Sequence, residues 1–436
     1  MDQKRVVRAW VMYDWANSAY STTMMAAVLP IFFVNVPGAG VGDDAALTAW
    51  AYTQSAAMLL LVLLSPVLGA VADVSGAKKK LLGVFMALGV LATTLYAFVG
   101  EGDLWFAIAL TLLGVVGFNG SLNFYDALLP DIAEPEERDR VSARGYAYGY
   151  LGGGLLLALN LVMIQKPEWF GRLDTLGGTR LAFVSVAVWW LLFSIPLFRR
   201  VPERRPAAAV PAGEAVRLAF GRLSATFRQL KHYPELVKYL IAFWFFSDGI
   251  GTIIKMATAY GETIGIGTSH LIGALLITQF VGFPCAIVFG RLADRFGAKS
   301  GLYVSLSVYV LITVLGYFMT TALHFYLLAA MVGLVQGGSQ ALARSIYTRL
   351  IPAGRNAEFF GFMSVWSKFA GIVGPAVFGY VNTIGNSRLG ILALVVFFVV
   401  GIFVLTRVDL EKGAREAERD PSQPIDGASG GLPVGR

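Results

Sequence analysis

Four sets of polar side chains recur at helical spacing inside otherwise apolar runs. Asp14, Asn17 and Ser21 are spaced i, i+3, i+7, and Asn119, Asn123 and Asp126 i, i+4, i+7. Asp248, Thr252 and Lys255 repeat the second spacing, and Gln336, Gln340 and Arg344 fall at i, i+4, i+8. Each set therefore lies along one helical face. Carboxylates, amides, an ammonium and a guanidinium can bind a polar solute or an ion, and such groups are default site candidates inside an apolar segment because they are costly there. Covalent chemistry has no comparable support. The three histidines (His232, His270, His324) are scattered, and Cys285 stands alone in an apolar run, so neither an intrachain disulfide nor a cysteine metal site is expected. Gly297-Ala298-Lys299-Ser300 mimics the end of a phosphate-binding loop, but Gly290 lies too far upstream and no strand precedes it. No catalytic residue, cofactor or metal is assigned. For Asp126 and Arg344, close to the ends of their runs, a gate or packing role weighs equally with solute contact. Asp248 and Lys255 lie deeper and favour a cavity. Lys368 reads as structural or gating.

The elements that must hold these groups are membrane helices. The chain has 436 residues, 56% hydrophobic and only 14% charged, with a mean hydropathy of +0.64; an ordinary soluble protein carries about 25% charged residues. Apolar runs of spanning length fall near 9–34, 48–72, 80–99, 104–129, 144–165 and 180–198, and again near 236–262, 269–293, 299–320, 324–349, 357–383 and 387–406. Isolated apolar segments can satisfy their backbone in a bilayer only as helices. The first run is long, contains Asp14 and lacks a small-residue cleavage site, so no cleavable signal peptide is expected. With the N-terminus inside, 28 of the 35 Lys and Arg fall in inner segments and four in outer loops (Lys166, Arg172, Arg180, Arg388). That bias puts both termini on the cytoplasmic side. It also accounts for the net charge of +7 without nucleic acid.

The expected organisation is a six-helix half over 1–198, a cytoplasmic linker over 199–235, a second half over 236–407 and a disordered tail over 408–436. In the linker, Val216, Phe220, Leu223, Phe227 and Leu230 recur at helical spacing, while Arg217, Arg222, Arg228 and Lys231 occupy other faces. This is a basic amphipathic helix, either lying on the inner leaflet or packing on the protein's own loops. Gly145, Gly149, Gly152, Gly153 and Gly154 in span 5, and Gly371 and Gly374 in span 11, are spaced for close helix crossing.

A charged hairpin occurs twice. Gly69, Asp73, Gly76 and Lys78 are matched by Gly290, Asp294, Gly297 and Lys299, each pair 221 residues apart, and Arg295 follows the second Asp. Glycines let helix ends approach, and an Asp is well placed against the positive end of a neighbouring helix. A repeat at half the chain length indicates two similar membrane halves, as in many secondary transporters. The hairpin resembles the cytoplasmic signature loop of the major facilitator superfamily, between helices 2 and 3 and again between helices 8 and 9. In that fold spans 1, 4, 7 and 10 line the central cavity, and these are the spans with polar stripes. Tyr13-Asp14-Trp15-Ala16-Asn17-Ser18-Ala19-Tyr20, Phe124-Tyr125-Asp126, Asp248-Gly249, the run Gln340-Ala341-Leu342-Ala343-Arg344 and the run Ala357-Glu358-Phe359-Phe360-Gly361 resemble the "unknown major facilitator" family. Its members are bacterial relatives of the fungal autophagy-related vacuolar amino-acid effluxer. The resemblance implies movement of amino acids or similar small solutes across a membrane.

The expectation is thus an all-α integral membrane protein, with twelve transmembrane helices in two pseudo-symmetric six-helix halves. It is read as a monomeric secondary transporter of a small polar solute (an amino acid, organic anion or zwitterion) in a bacterial cytoplasmic membrane. Its partners are that solute and the lipid bilayer, and no nucleic acid. Asp73 and Asp294 are read as holding the cytoplasmic side closed. Protons are the candidate coupling ion, carried by Asp248, with Asp14 at the matching place in span 1. Lys255 works against a proton on Asp248, so uniport or another ion stays as an alternative. A non-transporting sensor or scaffold with the same fold is the rival reading.

Overall fold

A computed structural model describes residues 3–418, apart from 76–77, 134–137, 203–211 and 353–355. Among these residues there is no strand, and ten helical stretches are long and apolar enough to cross a membrane. They are Gln3–Asn35, Asp43–Leu64, Lys78–Phe98, Leu104–Ala127, Tyr148–Gln165 and Thr175–Arg200, then Pro234–Thr263, Ala298–Tyr317, Ala322–Leu350 and Ser387–Thr406. The two remaining expected positions hold other helices. Span 8 is the continuous helix Thr268–Phe296, and span 11 is broken into Asn356–Phe369 and Val373–Ile384. Span 2 continues as helix to Ser75, and span 5 begins at Arg138.

The helix ends follow local chemistry. Asp174 Oδ1 accepts from the Gly177 amide (2.7 Å) at the start of span 6, and Asn386 Oδ1 from the Leu389 amide (2.9 Å) at the start of span 12. Each satisfies a backbone donor that the first helical turn leaves without a partner. Gly297, in the second hairpin, has φ of 85°, a conformation that a residue with a Cβ rarely adopts. Span 1 carries a π-helical stretch, Tyr20–Ala27, between two α-helical segments.

The two halves repeat one packing scheme. Span 1 packs on span 6 as span 7 does on span 12; span 3 on span 4 as span 9 on span 10; and span 2 on span 4 as span 8 on span 10. Between halves, span 2 meets span 11 and span 5 meets span 8. Close approach within the first half depends on glycine. Gly145, Gly149, Gly152 and Gly153 of span 5 face Asp14, Ser18, Trp15 and Thr22 of span 1, with no room for a Cβ.

The linker contains the helix Ala212–Gln229, which lies against span 2 and touches the first segment of span 11. Residues 410–418, expected within a disordered tail, instead form the helix Leu410–Glu418. Asp409 Oδ1 accepts from the amides of Glu411 and Lys412 (both 3.0 Å), which starts the helix. Glu235, 1% exposed at the head of span 7, then clasps it. Its carboxylate accepts from the Asp409 amide (2.9 Å), Lys238 (2.8 Å) and Lys412 (3.1 Å). The Glu235 carboxylate holds the Lys412 ammonium above the usual lysine range.

Candidate functional site

The polar stripes meet at a space between the halves. On the second half a cavity of about 580 Å³ is lined by span 7 (Ser247, Gly251, Lys255), span 10 (Ser339, Gln340, Arg344) and span 11 (Ser367, Ala370). Gln340 and Arg344 are exposed within it, and Lys255 is half-buried. From the first half, Asn123 meets Lys368 of span 11, with Asp126 and Asp14 nearby, and Asn119 lies one turn away on the helix face of Asn123. Asp126 is exposed and lies within electrostatic reach of Asp14, Lys368 and Arg344. Asp14 accepts a hydrogen bond from the Tyr125 hydroxyl (2.8 Å). Tyr125 is itself fixed: its ring stacks on Trp10 at 4.2 Å, and its carbonyl accepts from the Trp10 indole (3.1 Å). Asn119 is half-buried and donates to Val115 O in its own helix (2.9 Å), which leaves its carbonyl oxygen for other use.

Four expected site residues lie elsewhere. Asn17 is buried beside Asp14 rather than on the cavity wall. Asp248 and Thr252 are fully buried behind the cavity. The cause is the break in span 11: its second segment starts a new helix inside the membrane and needs acceptors for its first amides. Asp248 Oδ2 takes the Gly374 amide (2.9 Å), while Oδ1 is buried with no hydrogen-bond partner. Thr252 donates to the Asp248 carbonyl one turn back (2.7 Å). Gln336 lines a separate apolar chamber with Thr22, Ile254, Ala257 and Phe325. Lys255 lies on the other side of the break, its Nζ beside Gly371 at the end of the first segment. The two span 7 charges thus match the helix ends they face, carboxylate at an N-terminus and ammonium near a C-terminus.

Lys368 is the site residue that its sequence position did not reveal. Its Nζ donates to Asn123 Oδ1 at 2.5 Å, across the space between the halves. The available signal was a lysine inside an apolar run, which by itself does not separate binding from packing. Tyr125 was equally visible beside Asp126, but its role depends on the fold bringing Asp14 to it.

From the end of the bundle away from both termini down to the level of the span 11 break, the halves are tied together. Asn35 donates to Glu262 (2.7 Å), Thr258 to Ala26 O (2.8 Å), Trp50 to Lys255 O (3.0 Å) and Ser55 to Ile372 O (2.7 Å). Asn382 donates to Asp44 O (2.7 Å) and Thr48 Oγ1 (3.0 Å). The cavity residues Phe243, Arg344 and Tyr347 belong to the opposite parts of their helices. The space is therefore closed at one end, with its charged walls toward the other.

Among the described residues no group of His, Cys, Asp and Glu could hold a metal ion. In the hairpins, Gly69 and Gly290 lie within the helices of spans 2 and 8, while the side chains of Asp73, Asp294 and Arg295, and Gly76 altogether, lie outside the described residues. Lys78 pairs with Asp131 (3.0 Å) and donates to Ala127 O (2.9 Å), tying span 3 to the end of span 4. Lys299 donates to Val408 O (2.6 Å).

A family model described as "Vacuole effluxer Atg22 like" matches residues 36–418. An uncharacterized MFS-type transporter of Bacillus subtilis (strain 168), YxiO, is 36% identical over 421 residues, covering 96% of this chain and 98% of that protein. Autophagy-related protein 22 of Kluyveromyces lactis is 24% identical, over 95% of this chain and 96% of its own length. The same-named protein of Cryptococcus neoformans var. neoformans serotype D (strain JEC21 / ATCC MYA-565) is 29% identical over 64% of this chain, which spans 52% of that protein. Among solved structures, a mutant of the nucleoside transporter NupG superposes with a TM-score of 0.67 at 14% identity, covering 92% of this chain and 99% of that one. The inward-open xylose transporter XylE from E. coli gives 0.65 at 14% identity, covering 95% and 98%. At that identity the likeness is one of fold.

Proposed function

The chain belongs to the Atg22-like vacuole effluxer family of membrane transporters, and we propose that it moves a small zwitterion, an amino acid being the type case, by alternating access between its halves. The observation that carries this is the separation of charge across the cavity. Asp14 and Asp126 stand on the first half, while Lys255, Arg344 and Lys368 stand on the second. With Asp248 behind Lys255, three carboxylates balance three cations. A zwitterion adds no net charge to this space, whereas a bare anion or cation adds one where desolvation makes it costly. The zwitterion's carboxylate pairs with the second half and its ammonium with the first. The bound solute then draws the halves together, as the change of access requires.

The hydrogen-bonded end faces the outside in this reading, since the lysines and arginines cluster at the other end. The membrane is then the bacterial cytoplasmic membrane, with both termini and the charged cavity wall on the cytoplasmic side. Protons are the coupling ion, and the carboxylates Asp248, Asp14 and Asp126 are their candidate carriers.

Ligand-induced thermal shifts on the purified protein test the substrate class, since a ligand that binds only the folded state raises Tm. Amino acids are expected to raise Tm, and matched monocarboxylates and monoamines to leave it unchanged. A shift with the carboxylates alone overturns the zwitterion reading in favour of an organic anion.

A further inference from the structure

The linker helix Ala212–Gln229 exposes a continuous face. Gly213, Glu214, Arg217, Phe220, Gly221, Ser224, Phe227 and Arg228 are all exposed, and their spacing of three and four residues places them along one side. Phe220 is 47% exposed and Phe227 61%. Two phenyl rings beside two guanidinium groups suit neither bulk water nor a hydrocarbon core. They suit the boundary between headgroups and acyl chains, where rings sink and arginines meet lipid phosphates.

The helix is also tethered at that depth. Only the turn Leu230–His232 and Tyr233 separate it from Pro234, the first residue of span 7. At a helical rise of about 1.5–2 Å per residue, Phe227 lies within roughly 15 Å of the point where span 7 begins. Arg199 and Arg200 close span 6 at the other end of the linker, and both are exposed. Lys231 adds a further exposed cation beside the helix. Charge, apolar content and position all favour one occupant, the anionic headgroup layer of the same membrane.

We propose that the exposed face of Ala212–Gln229 is a binding surface for anionic phospholipid, on a helix that touches both halves of the transporter. The helix lies against span 2 of the first half and contacts the first segment of span 11 in the second. Lipid bound to its outer face therefore bears on two elements that must move relative to each other during transport. The composition of the inner leaflet becomes an input to the transport cycle.

The test uses the full chain in nanodiscs of phosphatidylcholine, with and without phosphatidylglycerol. Ser224→Cys on the exposed face, in a Cys285→Ala background, carries an environment-sensitive fluorophore. Phosphatidylglycerol is expected to make the label quenchable by brominated lipid and to shield it from aqueous iodide. Arg217→Gln with Arg228→Gln is expected to lower the ratio of lipid-bound to free helix, read from the quenching, by about five-fold for each arginine removed. Equal access of iodide in both lipids overturns the proposal. So does shielding from both quenchers, which means that protein covers the face. Should the labelled variant misfold, unlabelled protein gives the same answer. Phosphatidylglycerol is expected to raise Tm in the wild type more than in the double variant, and an equal rise in both overturns the proposal.

Discussion

Lys368 on span 11 reaches Asn123 on span 4 across the cavity, with Nζ 2.5 Å from Oδ1. This contact joins the halves, and its lysine also lies within electrostatic reach of Asp126. Hydrogen bonds to charged groups contribute about 1.5–3 kcal/mol, a factor of about 10 to 100 in an equilibrium. Lys368→Met removes a cation that pairs with the solute's carboxylate and is expected to weaken, by about that factor, binding of an amino acid that raises Tm. Lys368→Gln, which keeps a donor for Asn123, falls between. Equilibrium binding to purified protein measures both, and unchanged affinity in Lys368→Met would make this lysine a structural tie alone.

Asp248 has two separable roles to test. Asp248→Leu removes the acceptor of the buried Gly374 amide and is expected to lower stability by about 1–3 kcal/mol, read as a fall in Tm. Asp248→Asn keeps an acceptor oxygen and should retain most of that stability, yet it cannot carry a proton. In proteoliposomes, flux driven by a pH gradient is expected in the wild type and lost in Asp248→Asn. Gradient-driven flux that survives in the variant moves the proton to Asp14 or Asp126.

The closed end offers a population test. Asn382→Ala deletes two hydrogen bonds to span 2, each contributing about 0.5–1.5 kcal/mol. The equilibrium between access states should move toward opening at that end by about 5-fold or more. Labelling of a single cysteine at Ala51, buried against Gly379 of span 11, in a Cys285→Ala background is expected to speed up accordingly. A rate equal to that of the same cysteine without Asn382→Ala would mean that Asn382 does not hold this end shut.

The tail clasp carries a pH dependence of known sign. Glu235 raises the proton affinity of Lys412, so the clasp is fully present below the ordinary lysine range and is lost as pH climbs through the raised value. Hydrogen exchange of residues 410–418 should be faster in Lys412→Met than in the wild type at neutral pH. The two are expected to converge only at strongly alkaline pH. Convergence already near neutrality would show that Lys412 does not hold the tail.

The apolar runs and their order were legible because spanning helices need long uninterrupted apolar sequence. Asp14, Asp126, Lys255 and Arg344 stood out as candidates for a related reason, as a charge inside such a run needs an exceptional environment. Asp248 and Thr252 lie behind the cavity rather than on its wall, and the break between Phe369 and Val373 that draws them there has no pattern of its own in the sequence. Gly371 and Gly374 read equally well as packing residues, and only the broken backbone creates the demand that Asp248 meets. The repeat also misled by one residue. Lys78 aligns with Lys299 in sequence, but Lys299, the second residue of its helix, donates to a carbonyl just past the end of span 12. Its structural counterpart is Lys79, the second residue of span 3, which donates to Val201 O just past span 6 (2.8 Å).

The π-helical stretch Tyr20–Ala27 gives span 1 an unusual tolerance. Such a stretch accommodates an extra residue within an α-helix. Removing one residue there lets the segment relax to α-helix while Asp14 and Asn35 keep their faces. The same deletion in Leu104–Ala127 has no slack to absorb it. Everything beyond the cut would turn by about 100°, carrying Asn119, Asn123 and Asp126 away from the cavity. Length changes in this chain are therefore best absorbed in span 1, the helix that holds the half-buried carboxylate of Asp14.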